Sequence, residues 1–500
     1  MSTTRPLSTE NVALTETITE TNSSILHFRF ESTNPLIISK ADELHHKLVE
    51  WKQYKRQRNR DFRHAFNVIL TGVEVYSGYE TDHWLRITKG NNAFSGETCK
   101  GTEYTSEQRE AVLFLIKQGY LEKADGVRPI KSTQRKFKRK PAWLPYAYTL
   151  TSIWRNEVFN EPQCANHEIV RNHLAAYVVL RDTKWRTKPN GKKEKYKATL
   201  KITDAHRSSH AGIFKQTETL LHAHDKLMAQ THVSLGSKTI ASAQTFMRRI
   251  FSRNSFEMGG RLYHDLQNRT AETRKYLRFN DEPTIEIDFS GIHPSLLYAK
   301  AGLNADANDA YRVDGFSRDD AKVAFNILIN RDGTRETAYA ALTNNLDLSR
   351  HDAKRLVDGL YEANEPISNY FNTGYGLELQ YLDSQMAMQV IDHFVNEMQH
   401  PIIAVHDSFI VSVRDTENLI LTMVDAYRSV GEESVHQNAM LSGVKGSSLE
   451  FSDALETAIT QCFKQDTDHL DAKTWNKLLA EEPVQECTDY SAEYGEGDED

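Results

Sequence analysis

Between residues 246 and 413, several short segments carry side chains whose types suit metal and phosphate chemistry. Thr284-Ile-Glu-Ile-Asp288 ends an alternating apolar run on a carboxylate, and His400-Pro-Ile-Ile-Ala-Val-His406-Asp407-Ser-Phe-Ile-Val-Ser412 sets a second carboxylate between two apolar runs. Carboxylate oxygens on stiff backbone are the donors Mg²⁺ prefers, so Asp288 and Asp407 are candidate metal ligands. Arg318 and Lys322 stand four apart in Ser317-Arg-Asp-Asp-Ala-Lys-Val-Ala-Phe-Asn326 and so share one face of a helix, where two cations suit a triphosphate. Phe256-Glu-Met-Gly-Gly-Arg261, with Arg248 and Arg249 upstream, offers a guanidinium beside Gly260, a pairing that lets backbone and side chain meet one phosphate.

Each segment also has a plain structural reading. Asp288 can cap a helix, Arg318 and Lys322 can pair with Asp319 and Asp320 on a solvated face, and Gly260-Arg261 can be an ordinary turn. A buried His406-Asp407 needs its charge offset by a metal, a cation or solvent.

The elements that must hold these residues follow from periodicity. Ile285 and Ile287 alternate as in a buried strand, and Ser290 or Gly291 turns that strand into a helix. The runs around His406-Asp407 predict a β-hairpin with the carboxylate at its tip. Ile213 to Thr231 reads as a helix, as does Leu377 to Met398, which carries Ser384 and Gln385. Further upstream, Thr105-Ser-Glu-Gln opens a helix with a capping pattern, the helix stops at Gly119, and strands near Tyr120 and Tyr146 flank a basic insert. Helix, strand, basic tip and strand over about 105–151 is the order of a winged helix. Arg128 to Lys140 holds seven Lys/Arg and no acids, and Arg181 to Lys201 holds nine against two acids, with Pro189-Asn-Gly191 at an expected hairpin tip.

Composition narrows the class. At 500 residues, two or three domains are expected. Charged residues make up 26% and mean hydropathy is −0.59, with no apolar run of membrane-spanning length. Cys99, Cys164, Cys462 and Cys487 stand too far apart for a zinc spacing, which fits reduced thiols in the cytoplasm. Net charge is −8, but Glu481 to Asp500 contributes nine acids and no Lys or Arg, leaving the remainder at +1.

In this order the segments resemble the family A DNA polymerases and the related single-subunit RNA polymerases of phages and mitochondria. Asp288-Phe-Ser-Gly-Ile-His is similar to motif A, Arg318-x-x-x-Lys322 to the start of motif B, His406-Asp407-Ser-Phe to motif C in its RNA-polymerase form, and Gly260-Arg261 to the D-x-x-G-R segment, with Glu257 in place of its aspartate.

The resemblance implies an α+β chain with a right-hand architecture: a palm with an antiparallel sheet, reduced fingers and thumb-like helices. It implies that Asp288 and Asp407 hold two Mg²⁺ ions, with Mn²⁺ as a substitute, and that Lys322 acts with them in catalysis. Arg318, Lys322, His293, Phe325 and Asn330 would meet the nucleotide, and Arg261, Gly260, Arg248, Arg249 and His406 the nucleic acid. Partners would be a DNA template, a primer and nucleoside triphosphates, with the chain monomeric and away from membranes. His293, where family A enzymes carry a glutamate near the sugar, slightly favours DNA as product, whereas His406-Asp407-Ser-Phe and Gly260-Arg261 look more like the RNA polymerases, so the resemblance admits either a DNA polymerase or a DNA-directed RNA polymerase. Asn330 replaces the motif B tyrosine, and only 119 positions separate Asp288 from Asp407.

The resulting division is a leader (1–25), an N-terminal nucleic-acid-binding region (26–205), a polymerase-like core (206–465) and an acidic tail (466–500). The competing expectation is a DNA-binding regulator or replication initiator on an inactive palm-like scaffold. A metal-dependent nuclease would need more acids beside Asp288 than Glu286 alone.

Overall fold

The computed structural model describes residues 23–52, 61–77, 84–87, 105–123, 147–187, 191, 193–236, 238–289, 291–303, 309–346 and 348–430. The leader through residue 22, Arg128 to Lys140, Pro189-Asn190, Ser290, Cys99, Cys462, Cys487 and the acidic tail lie outside the described residues.

The chain is mixed α+β, with a curled antiparallel half-barrel sheet. A six-stranded sheet runs in the order Lys238–Ile240, Val233–Leu235, Leu277–Phe279, Glu282–Asp288, Ser408–Ser412, Ile402–Val405, with every neighbour antiparallel. In the central strand, Glu282–Asp288, Ile285 and Ile287 face the largest apolar core while Glu286 and Asp288 face the other side. The hairpin reads differently because it is buried on both faces. Ile402, Ala404, Phe409 and Val411 enter that core, and Ile403, Val405 and Ile410 enter a second one, which accounts for continuous apolar runs where the central strand alternates. Each fully buried Ile, Val or Phe among them contributes about 1.5–3 kcal/mol.

The expected motif helix is present as Arg318–Asn330, with Ser317 Oγ accepting from the Asp320 N–H at 3.1 Å. The long helix Gly376–Asp392 continues into a wider turn over His393–Met398 and packs on the strand Gly259–Tyr263. That strand belongs to a second sheet, ordered Gly259–Tyr263, Arg248–Phe251, Val178–Thr187, Lys193–Leu200. Its last two strands form the expected basic hairpin, which thus joins a sheet whose other strands lie beyond position 205.

In the N-terminal region the helix Ser106–Lys117 starts on the expected capping box, with Thr105 and Gln108 bonded reciprocally at 3.2 and 2.8 Å. Strands Leu121–Lys123 and Ala147–Leu150 pair antiparallel after it. This region is tied to the core through Asp265, which accepts from Arg29 Nη1 at 2.6 Å and from the Tyr76 hydroxyl at 2.7 Å. Among the described residues, no helix is long and apolar enough to cross a membrane.

Candidate active site

Asp288 ends the central strand directly across the ladder from Ser408, the residue after Asp407. The next backbone N–H, that of Phe289, donates to the Asp407 carbonyl at 3.4 Å. Two carboxylates 119 positions apart therefore sit on neighbouring backbone at one end of the sheet, each only half-buried. Gly291 then makes the turn into the helix Ile292–Lys300 at φ 72°, a left-handed conformation that suits a residue without Cβ. At the hairpin tip His406 takes φ 59°, uncommon for a non-glycine residue. Its Nδ1 is buried, its ring stands edge-on to Tyr263 at 5.8 Å, and burial first, then the Arg261 guanidinium, pushes the imidazole down to about 3. His406 is consequently neutral at physiological pH.

Behind the tip lies a buried network absent from the sequence expectations except for two of its members. Arg261 Nε–H donates to Asp383 Oδ1 at 3.2 Å and Oδ2 at 3.0 Å, and Nη2 donates to Oδ2 as well. His293 Nε2 lies 3.1 Å from Asp383 Oδ2 and 3.3 Å from Arg261 Nη2. Burial pushes the Asp383 carboxyl up, but Arg261 and His293 outweigh it and hold it below the ordinary carboxylate range. Burial pulls Arg261 down, and the charges of Asp383 and, further off, Asp407 raise it above its ordinary value. Glu286, on the same strand face as Asp288, is held by Arg274 at 2.9 and 2.6 Å and accepts from the Ser408 hydroxyl at 2.7 Å.

Burial corrects the phosphate contacts expected of Arg261 and Arg249 and the nucleotide contact expected of Phe325. Arg261, expected on a phosphate, is only 6% exposed and spends its guanidinium on Asp383. Arg249 is fully buried, donating to the Gly260 carbonyl at 2.9 Å, Ser384 Oγ at 3.0 Å and Thr217 Oγ1 at 3.4 Å, and burial lowers its pKa to about 10. Gly260 serves packing: at φ 80°, a Cβ there would stand 3.0 Å from both Phe251 Cε1 and Ser384 Oγ. Arg248 is half-buried near Asp265, whose carboxyl burial pushes up and Arg29, His27, Tyr76 and Arg248 together pull down. Phe325, expected against the nucleotide, is a core residue edge-on to Tyr311 and Phe371 at 5.4 and 5.3 Å. Asn330 donates to the Asn326 carbonyl at 2.9 Å and packs so closely on Gly376 that a Cβ there would stand 2.2 Å from Asn330 Oδ1. It thereby packs the end of the helix Arg318–Asn330 against the start of the helix Gly376–Asp392.

Arg318 and Lys322 are exposed on the motif helix, with Arg318 over the Tyr311 ring at 5.1 Å. Sequence reading passed over Trp185. It is 61% exposed on the basic hairpin and sits opposite Lys195, whose Nζ lies 5.3 Å from the ring centroid. Strand alternation sets Arg181, Lys193 and Lys197 on the same ribbon face, so an aromatic platform stands among cations. Aromatic residues within a basic stretch are the signal that would have found it.

The donor set fits a hard divalent cation. Asp288 and Asp407 offer only carboxylate oxygens, from adjacent stiff backbone, the donor type that such an ion takes. No family model matches the chain, and no curated protein matches it.

Proposed function

We propose that the chain is a template-directed nucleic-acid polymerase that extends a primer on a DNA template, with DNA as its product, and acts as a monomer in the cytoplasm. The observation that carries this reading is the placement of Asp288 across the central ladder from Ser408, and so beside Asp407, at the end of a strand that turns directly into a helix. Asp288 and Asp407 hold Mg²⁺, with Mn²⁺ as a substitute. When bound, the ions would supply positive charge for attack of a primer 3′-hydroxyl on the α-phosphate of a nucleoside triphosphate, with pyrophosphate as the leaving group. Lys322 and Arg318 bind the triphosphate and offset charge on its leaving group. Arg261, neutralised by Asp383, fixes the helix start at His293 and the hairpin tip in one position. The basic hairpin carries single-stranded template on Trp185. In this reading the six-stranded sheet is the palm and Arg318–Asn330 a reduced fingers element.

Glu286 is engaged by Arg274 and Ser408, which favours this reading over a nuclease that would recruit it. The helix Ser106–Lys117 with its two strands supports the second reading, a DNA-binding regulator or replication initiator. Incubation with Mg²⁺, a labelled primer on a DNA template and either dNTPs or NTPs separates them. Extension that disappears in Asp288→Ala and Asp407→Ala is expected, and the accepted sugar identifies the product. DNA binding without extension in either nucleotide set supports the regulator instead.

A further inference from the structure

Among the described residues, one group of three metal-ligating side chains converges outside the candidate active site: Glu31, His64 and His173, whose ligand atoms all lie within 4.8 Å of one another. Glu31 is the middle residue of the strand Phe30–Ser32, between two buried neighbours, so alternation turns its carboxylate outward. His64 lies in the first turn of the helix Arg63–Ser77. Three residues on, Asn67 accepts from the Ser32 N–H at 2.8 Å and donates to the Ser32 carbonyl at 2.9 Å, which locks helix to strand. His173 follows the strand Ile169–Arg171, which pairs Val170 with Glu31. Asn172, beside it, donates its side-chain N–H to the Phe28 carbonyl and its backbone N–H to the Arg29 carbonyl, both at 2.7 Å. All three side chains are thus presented from fixed backbone.

The ligand atoms of the three side chains converge. His64 Nε2 and His173 Nδ1 both point at one oxygen, Glu31 Oε2, at 2.8 and 3.3 Å, and the two rings have centroids 4.4 Å apart. In a tetrahedral shell with bonds of about 2.0–2.1 Å, neighbouring donor atoms stand about 3.3 Å apart. With 63% of the His173 side chain exposed, a fourth position is open to solvent.

We infer that Glu31, His64 and His173 form a His₂Glu site for a divalent transition-metal ion, Zn²⁺ by preference, which clasps the helix Arg63–Ser77 to the strand pair. Imidazole nitrogen selects such ions over Mg²⁺ and Ca²⁺, so this site is chemically separate from Asp288 and Asp407. The strand pair is anchored to the core by Arg29 on Asp265 at 2.6 Å and by Arg171 on Asp225 at 2.8 Å. The ion would therefore stiffen the join between the N-terminal helix and the core.

The test is Co²⁺ titration of the full chain, purified without a polyhistidine tag, read by visible d–d absorption, with Zn²⁺ competition and thermal melting in parallel. One tight equivalent is expected, displaced by Zn²⁺, with a higher Tm when metal is bound. His173→Ala, at an exposed position, should keep the fold by circular dichroism and weaken binding by more than about tenfold, as should Glu31→Gln. Asp407→Asn should leave the Co²⁺ spectrum unchanged. Absence of a stoichiometric site in the wild type overturns the inference, as does binding that survives both His173→Ala and Glu31→Gln.

Discussion

Arg261 and Asp383, 122 positions apart, form a buried pair in which the guanidinium donates to both carboxylate oxygens. The pair joins the strand Gly259–Tyr263 to the helix Gly376–Asp392 immediately behind the Asp407 hairpin, and it fixes His293 at the start of the helix that follows Asp288. Its worth lies in geometry more than in net stability, since a buried ion pair recovers little beyond its own desolvation.

Removing one partner strands the other. Asp383→Ala is expected to destabilise the fold by about 3–5 kcal/mol, because Arg261 is then a buried, unpaired cation. Urea denaturation of Asp383→Ala beside the double variant Asp383→Leu/Arg261→Leu checks this. The double variant should recover a large part of the loss, and equal losses in the two would contradict the account.

Acid should unfold the protein earlier than its carboxylates alone would dictate. His264, fully buried with its Nε2–H donating to the Ala404 carbonyl at 2.9 Å, is lowered by burial to about 4, and His406 to about 3, against an ordinary value of 6.5. The unfolded chain takes up these protons below about 6.5 while the folded chain resists until about 4 and 3, so their stabilisation is complete above 6.5 and disappears as pH falls through the folded values. Each histidine contributes a slope of about 1.4 kcal/mol per pH unit within its window. Urea midpoints measured from pH 7.5 down to 4.5 should fall, and His264→Gln should flatten the slope.

Trp185 is expected to carry base stacking and not electrostatic attraction. Trp185→Ala should weaken single-stranded DNA binding by about 1–3 kcal/mol while leaving the salt dependence of binding unchanged, as measured by fluorescence anisotropy over a salt series. Lys195→Ala should instead reduce the salt slope. An unchanged affinity in Trp185→Ala would remove the hairpin from the binding path.

The parts of the site written in local periodicity were legible in the sequence. Ile285 and Ile287 announce the strand that ends on Asp288, and the paired apolar runs announce the hairpin with Asp407 at its tip. What the arginines do was not legible, because their partners come from a distant helix. Arg249 and Arg261 look like phosphate contacts until Asp383 and Ser384 are brought against them. A signal did exist: Asp383 is a charged residue on the helix face shared with Leu379, Gln380, Met386 and Ala387, a place for a charge only if it is paired. Phe325 shows the converse case. The resemblance suggested the nucleotide, but its spacing with Ala321, Ala324 and Leu328 is that of a core stripe, and the core is where it lies.

Asp288 and Asp407 are proposed to carry template-directed nucleotidyl transfer together. Single-nucleotide incorporation on four primed templates that differ only in the templating base, with Mg²⁺ and each nucleotide supplied separately, tests it most directly. Each template is expected to select its complementary nucleotide, and Asp288→Asn and Asp407→Asn, folded as judged by circular dichroism, to lose incorporation by at least about 10²-fold. Incorporation that ignores the templating base, or that survives either substitution, would contradict it.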